Sequence, residues 1–439
     1  MKSKITSLSW FVMSWAVLSV SLFAQPAAQP SLPRPLTLDA ALQLATQYNP
    51  ALQRTREQIR EQEGVLVEAR SLGLPSLAAS GGYRRTDDKL FESPYANDTN
   101  WTVDITARQV LYAGGGTRAR IRAQREQLEA AKLTFTTALN DTVLAVRQQF
   151  YAVLLDRELI SVQEEALRVL ETELSNARSR REVGMGSDFD VLRAEVAVAN
   201  SRPALFRARN AYRVAQDRLR ALLGASASDS NQVTDLDVRG SLEVPHREFA
   251  LADALAAARA HRPELLQQDR LIKAAEQGIT SARSGYLPTV SAVAGYEWTK
   301  PSLITTTKNH LDGWSAGVQA DWNIFEGRAT AGRVAQAKSR VSQVRFSANE
   351  RSLAVEVEVR QAHSALMEAD ELLESSGKVV AQARESLRLA QARYEAGTAT
   401  QLDILQAQSA LTEARSNLAQ AQHAYATAFA ALLRGMGSN

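Results

Sequence analysis

Four stretches of the chain repeat their apolar residues every seven positions. Val146, Val153, Ile160, Leu167 and Leu174 set one frame, with Leu170 and Ala177 beside it. Val359, Leu366, Leu373, Val380 and Leu387 set a second, with Ala390 and Tyr394 beside it. Two shorter frames follow at Val191, Val198, Leu205, Tyr212, Leu219 and at Ile404, Leu411, Leu418, Tyr425, Leu432. A sustained seven-residue period predicts helices packed as coiled coils. The two longer helices should each run about 67 residues, or roughly 100 Å at 1.5 Å per residue. That is about three times the thickness of a bilayer core. Charged residues run throughout both, so the helices are predicted to stand in an aqueous space.

A second period, of two, marks strands. Trp101, Val103, Ile105, Ala107 and Leu111 take one face, and Thr102, Asp104, Thr106 and Arg108 the other. The preceding segment alternates Leu77, Ala79, Gly81 and Tyr83. Val290, Ala292, Ala294, Tyr296 and Trp298 share a face further on. So do Trp314, Ala316, Val318, Ala320, Trp322 and Ile324, opposed by Ser315, Gln319, Asp321 and Asn323. Strands of this length with aromatics near their ends suit a membrane barrel; a strand of a soluble sandwich is the plainer alternative. The recurrence of the pattern in four strands, behind a secretory leader, favours the barrel. Tyr83, Trp101, Tyr296, Trp298, Trp314 and Trp322 are then candidate interfacial aromatics at headgroup level. Polar segments at about 84–100 and 299–313 are predicted as outer loops. Residues 36–72 read as a helix broken at Pro50.

The long helices end in matching turns. Glu182-Val183-Gly184-Met185-Gly186-Ser187-Asp188-Phe189-Asp190 and Glu395-Ala396-Gly397-Thr398-Ala399-Thr400-Gln401-Leu402-Asp403 each place a glycine where a helix stops, then a hydroxyl residue three positions before an aspartate. That is a helix-terminating glycine followed by a variant capping box. The turns lie about 213 residues apart, and the spacing holds elsewhere: Pro50 with Pro263, Leu74-Pro75 with Leu287-Pro288, Tyr83 with Tyr296, Trp101 with Trp314, Tyr112-Ala113-Gly114 with Phe325-Glu326-Gly327. A period this long means a duplicated half, not a solenoid. Each half reads helix, two strands, long helix, turn, helix. The first half is assigned to 36–224 and the second to 249–439, joined by an aperiodic linker at 225–248. Pro203 stands inside the helix after the first turn where the second copy has Ser416, predicting a kink in one half alone.

Lys2 and Lys4, the apolar run Trp10–Leu18 and Ala24 as a cleavage point make residues 1–24 a predicted signal peptide; a membrane anchor is the alternative. The Pro-rich stretch 25–35 should be an extended arm. The 439-residue chain carries a net charge of +3 and no cysteine. Without Lys2 and Lys4 the remainder is close to neutral, so its basic pI argues little for nucleic-acid binding. The absence of cysteine excludes disulfides, a thiolate nucleophile and a lipid-accepting Cys.

Four lipid-facing strands cannot close a barrel, and open edges in lipid leave amides unpaired at several kcal/mol each. Other copies of the chain must complete the sheet. Two copies give eight strands, whose interior side chains fill. Three give twelve, enough for an aqueous lumen, with a second tube of helices below.

The motifs Tyr112-Ala113-Gly114-Gly115, Phe325-Glu326-Gly327 and Tyr394-x-x-Gly397-Thr398-x-x-x-x-Asp403-Ile404-Leu405-x-Ala407 resemble those of the outer-membrane efflux proteins, the TolC-like channels, across nearly the whole mature chain. The resemblance implies a mainly α fold with membrane β: a long coiled-coil α-barrel and a trimeric twelve-stranded β-barrel, internally duplicated. It implies an outer-membrane exit duct for tripartite efflux or type I secretion in a Gram-negative cell, with its helices in the periplasm. The implied partners are two further copies, a periplasmic adaptor (membrane fusion protein), an inner-membrane RND, ABC or MFS pump, and outer-membrane lipid. It further implies a periplasmic gate at the turns, with Gly184, Ser187, Gly397 and Thr400 shaping them. Asp403 would line the aperture, and Asp190 would hydrogen-bond Tyr394 across neighbouring hairpins. The plainer reading of both aspartates is first-turn charge on a helix dipole. Two departures stand out: Ala399 replaces an arginine latch and Gln406 a second aperture carboxylate.

No catalytic constellation is present. His246, His261, His310, His363 and His423 lie apart without paired metal-ligand spacing, and Gly114-Gly115-Gly116 lacks the Lys-Ser/Thr of a phosphate loop. No cofactor or metal is expected. The rival classes are a pore-less periplasmic coiled-coil tether or adaptor, and a hydrolase with helical decoration.

Overall fold

The computed structural model describes residues 32–90, 99–225, 236–300 and 310–438. The predicted signal peptide, most of the Pro-rich arm and the centres of both outer loops lie outside them. The first half comprises α1 (Leu38–Tyr48), α2 (Pro50–Ser71), β1 (Ser76–Arg85), β2 (Thr99–Ala113), α3 (Gly116–Glu182) and α4 (Asp188–Leu222). The second comprises α5 (Leu251–His261), α6 (Pro263–Arg283), β3 (Thr289–Lys300), β4 (Leu311–Asp321), α7 (Ala329–Glu395) and α8 (Gln401–Met436). Both α3 and α7 are 67 residues long. Among the described residues no helix is long and apolar enough to cross a membrane.

The strands form one antiparallel sheet in the order β1-β2-β3-β4. Its register aligns the four apolar alternations. Leu77 opposes Ala107, which opposes Ala294, which opposes Ala316; Ala79, Ile105, Tyr296 and Trp314 form the next row. The other face carries Ser80 bonded to Asp104, and Thr102 Oγ1 at 3.1 Å from Thr299 Oγ1. Two details depart from the sequence reading. Leu111 sits at a bulge between Val110 and Tyr112, so it does not continue the Trp101 face by simple alternation. β4 ends at Asp321, so Trp322 and Ile324 belong to the connection into α7. Trp322 is fixed there by its indole N–H, which donates to the Tyr286 carbonyl at 3.2 Å.

Below the sheet the helices form a wall. Next to the strands the contact order is α2-α3-α6-α7; further away it is α4-α3-α8-α7. Because α3 touches both α4 and α8, its buried positions exceed one heptad seam: Val146 and Val153 are joined by Val162 and Ala166. α4 continues through Pro203 as one helix, the ring lying exposed where water can serve the carbonyl it leaves unpaired. The linker does more than connect. Leu36 pairs in parallel with Val238, and Leu236, Val238 and Leu242 are buried with Val146, Phe150 and Leu219.

The duplication extends to close contacts but not to charge. Asn49 caps α2 and donates its Nδ2–H to the Leu222 carbonyl at 2.8 Å; one period later Arg262 donates Nε–H to the Gly435 carbonyl at 2.9 Å. Gly224 and Gly437 both adopt positive φ, where a Cβ would strike the backbone of Tyr48 and of His261 respectively. Around Arg262 the second half builds an ion network. Arg262 meets Glu264 at 2.9 Å and Glu358 at 2.5 Å; Arg434 meets both and Asp141; Arg351 meets both at 3.4 Å. Ala51, Ala138, Ala145 and Ala221 occupy the positions corresponding to Glu264, Arg351, Glu358 and Arg434 in the first half.

Candidate periplasmic gate and membrane belt

The two turns sit at the end of the helices farthest from the sheet. Gly184 (φ 76°) and Gly397 (φ 74°) end α3 and α7 in the left-handed region, which costs glycine little. Met185 N–H donates to the Arg180 carbonyl and Thr398 N–H to the Arg393 carbonyl, both at 2.8 Å, satisfying last-turn acceptors. A reciprocal cap opens the next helix. Ser187 Oγ accepts from Asp190 N–H and donates to Asp190 Oδ2 at 2.8 Å. Thr400 donates both N–H (2.7 Å) and Oγ1–H (2.8 Å) to Asp403 Oδ2. Those hydrogen bonds, the backbone one foremost, hold the Asp403 carboxyl below its ordinary range. It is therefore ionised throughout the neutral range and exposed to solvent.

Asp403 opens onto a groove of about 930 Å³ between α7 and α8, lined also by Glu385, Arg393, Ala399 and Gln406. The structure brings Tyr394 not to Asp190 but to Arg180: the guanidinium carbon lies 4.4 Å from the ring centroid. Within one chain Asp190 is engaged by its own cap instead. Arg180 carries no sequence signal. One period on, its counterpart Arg393 stays beside Asp403 on its own hairpin.

At the sheet, Tyr83 opposes Trp101, and the rings of Tyr296 and Trp298 lie 4.4 Å apart near the loop end. Trp314 stands beside Tyr296 in the adjacent strand and is largely exposed. At the helix end Trp322, with Tyr112, Tyr286 and Phe325, presents exposed rings. The last three were missed in the sequence because they lie at strand ends and turns, outside the alternating runs. Trp101 to Tyr112 spans eleven strand steps, roughly 36 Å, which a tilt of about 40° reduces to a height of about 28 Å. Two aromatic belts at that separation match a bilayer's apolar layer. No cluster of three or more metal-ligating side chains occurs among the described residues.

Comparison with known proteins agrees with this geometry. The sequence profile described as outer membrane efflux protein matches residues 41–225 and again 254–438, the two matches offset by the period of the internal repeat. The outer membrane efflux protein BepC of Brucella suis biovar 1 is 26% identical over 408 residues, covering 91% of this chain and 85% of its own. The protein CyaE of Bordetella pertussis is 26% identical over 384 residues, covering 87% and 79%. Among solved structures, CusC superposes with a TM-score of 0.77 at 16% identity, covering 92% of each chain. The outer membrane protein VceC of Vibrio cholerae superposes at 0.76 and 18%, covering 92% and 96%. With both halves matched by one profile and the whole fold shared, the chain belongs to the outer membrane efflux protein family and resides in the Gram-negative outer membrane, its helices in the periplasm.

Proposed function

We propose that three copies of the chain close into a passive, non-enzymatic exit duct, gated at its periplasmic tip. One observation carries the reading: every layer ends in an open edge in the same order. β1 and β4 are the outer strands of a four-stranded sheet. Below them α2 and α4 flank one side and α7 the other. These edges carry exposed apolar side chains: Phe189, Leu192 and Val196 on α4, and Phe346, Leu353 and Val357 on α7 are all more than half exposed in the single chain. A head-to-tail interface that pairs β4 with the next β1, and α7 with the next α4 and α2, closes as a ring. Three copies give twelve strands with room for water in the lumen, whereas two give a filled barrel.

The belts Tyr83, Trp101, Tyr296, Trp298, Trp314 and Trp322 contact lipid headgroups in this reading. Asp403, with Gly397 and Thr400 fixing its position, lines the aperture, while Gly184, Ser187 and Asp190 shape the companion turn. A periplasmic adaptor and an inner-membrane RND, ABC or MFS pump open the tip and supply cargo. Relatives carry names from both uses, a toluene efflux pump outer membrane protein of Pseudomonas putida and an alkaline protease secretion protein of Pseudomonas aeruginosa. A pore-less tether would have no use for four strands bearing two aromatic belts. Crosslinking of detergent-purified protein should stop at three copies, and the same protein should form ion channels in planar bilayers. A stable monomer with full helix content refutes the assembly.

A further inference from the structure

We propose that Arg180 is the clasp of the periplasmic tip, its guanidinium lying on the Tyr394 ring and tying the first helical hairpin to the second. The inference rests on the gated-duct reading and assigns that gate a holding residue. Three neighbouring arginines at the end of α3 divide their work. Arg178 binds Glu195 at 2.7 Å and Arg181 binds Asp188 at 3.5 Å, both across their own hairpin. Arg180 alone of the three reaches the other hairpin, at 4.4 Å from the Tyr394 centroid, well inside the range of a cation–π contact. It has no carboxylate at ion-pair distance among the described residues, so the ring is its principal partner.

The surroundings position Arg180. A Cβ on Gly186 would lie 3.2 Å from Arg180 Cβ and 3.1 Å from Arg181 N, so the turn folds directly against the base of the Arg180 side chain. Glu173, two turns earlier on α3, attracts Arg180 and is repelled by Glu395, the neighbour of Tyr394. Those carboxylates leave a negative setting at the hairpin junction that the guanidinium answers.

The test separates ring from hydroxyl. Planar-bilayer recordings are made on the parent and on Arg180→Ala, Arg180→Lys, Tyr394→Leu and Tyr394→Phe, each first checked as a crosslinked trimer. Arg180→Ala and Tyr394→Leu should raise open-channel probability about two- to thirtyfold per contact released. Tyr394→Phe should match the parent, because the ring face is kept, and Arg180→Lys should fall between. A channel-forming parent with an identical Arg180→Ala variant overturns the clasp and leaves the duct standing. Opening by Tyr394→Phe equal to that of Tyr394→Leu also overturns it, assigning closure to the hydroxyl. A parent that forms trimers but no channels removes the gated-duct reading itself.

Discussion

Replacing Arg262 by alanine tests how the second half is anchored. The side chain is 1% exposed and holds three acceptors: the Gly435 carbonyl, Glu264 and Glu358. The network comprises three cations (Arg262, Arg351, Arg434) and three anions (Glu264, Glu358, Asp141). Its loss leaves two cations facing three anions, with Glu264 only 7% exposed and its Oε2 already without a hydrogen-bond partner. Breaking a buried ion pair from one side costs about 3–5 kcal/mol, because the remaining charge stays desolvated. Removing Glu264 as well restores two against two, so Arg262→Ala/Glu264→Ala should be less destabilised than Arg262→Ala alone. The assay is loss of helical circular dichroism on heating the detergent-solubilised protein, at one fixed scan rate. An Arg262→Ala midpoint equal to the parent's, or a double variant as unstable as the two single losses summed, refutes the reasoning. The pH dependence gives a second check. Burial pushes the Glu358 carboxyl up, but the hydrogen bond from Arg262 and the charges of Arg262, Arg351 and Arg434 outweigh it and hold it below the ordinary glutamate range. Its contribution is therefore full above that range and lost as pH falls through the depressed value. In Arg262→Ala the native value is less depressed, so the part of the acid loss that Glu358 contributes should shrink.

Three further outcomes are expected. Val318→Arg places a charge on the apolar sheet face at about 2–4 kcal/mol near the bilayer midplane, whereas Gln319→Arg points to the opposite face; outer-membrane yield should fall much more in the first, and equal yields would mean the strand register is wrong. Asp403→Ala should weaken cation preference and block by divalent cations in bilayer recordings without changing trimer stability, because a ring of like charge sets pore selectivity; unchanged ion preference would place the constriction elsewhere. Arg328 holds φ 69° where the first half has Gly115 at φ 81°; Arg328→Gly should raise the thermal midpoint, relieving about 1 kcal/mol of left-handed strain, and a lowered midpoint would show the side chain to be needed.

Much of this molecule is legible in its sequence, because its long-range order is periodic. Seven-residue spacing requires long packed helices, and Val146, Val153, Val359, Ile404 and Leu432 are buried as that frame predicts. Two-residue alternation requires a sheet with one apolar face, and the Leu77-Ala107-Ala294-Ala316 row follows once the register is fixed. Glycine and hydroxyl punctuation dictates the tip turns locally. The strand count alone forbids a closed monomeric barrel. What only the tertiary structure decided is partner choice between distant positions. Arg180 and Tyr394 are joined across two hairpins with no sequence signal for the pairing; the family resemblance implies Asp190 as the partner of Tyr394 across neighbouring hairpins, and within one chain that carboxylate is engaged by its own cap. Leu236 and Val238 look like an aperiodic linker yet fill the first core, since an isolated strand-like contact leaves no period to read. The Arg262 network likewise has no periodic trace: its members come from α3, α6, α7 and α8 and from the residue preceding Pro263, and only their convergence in space makes buried charge tolerable.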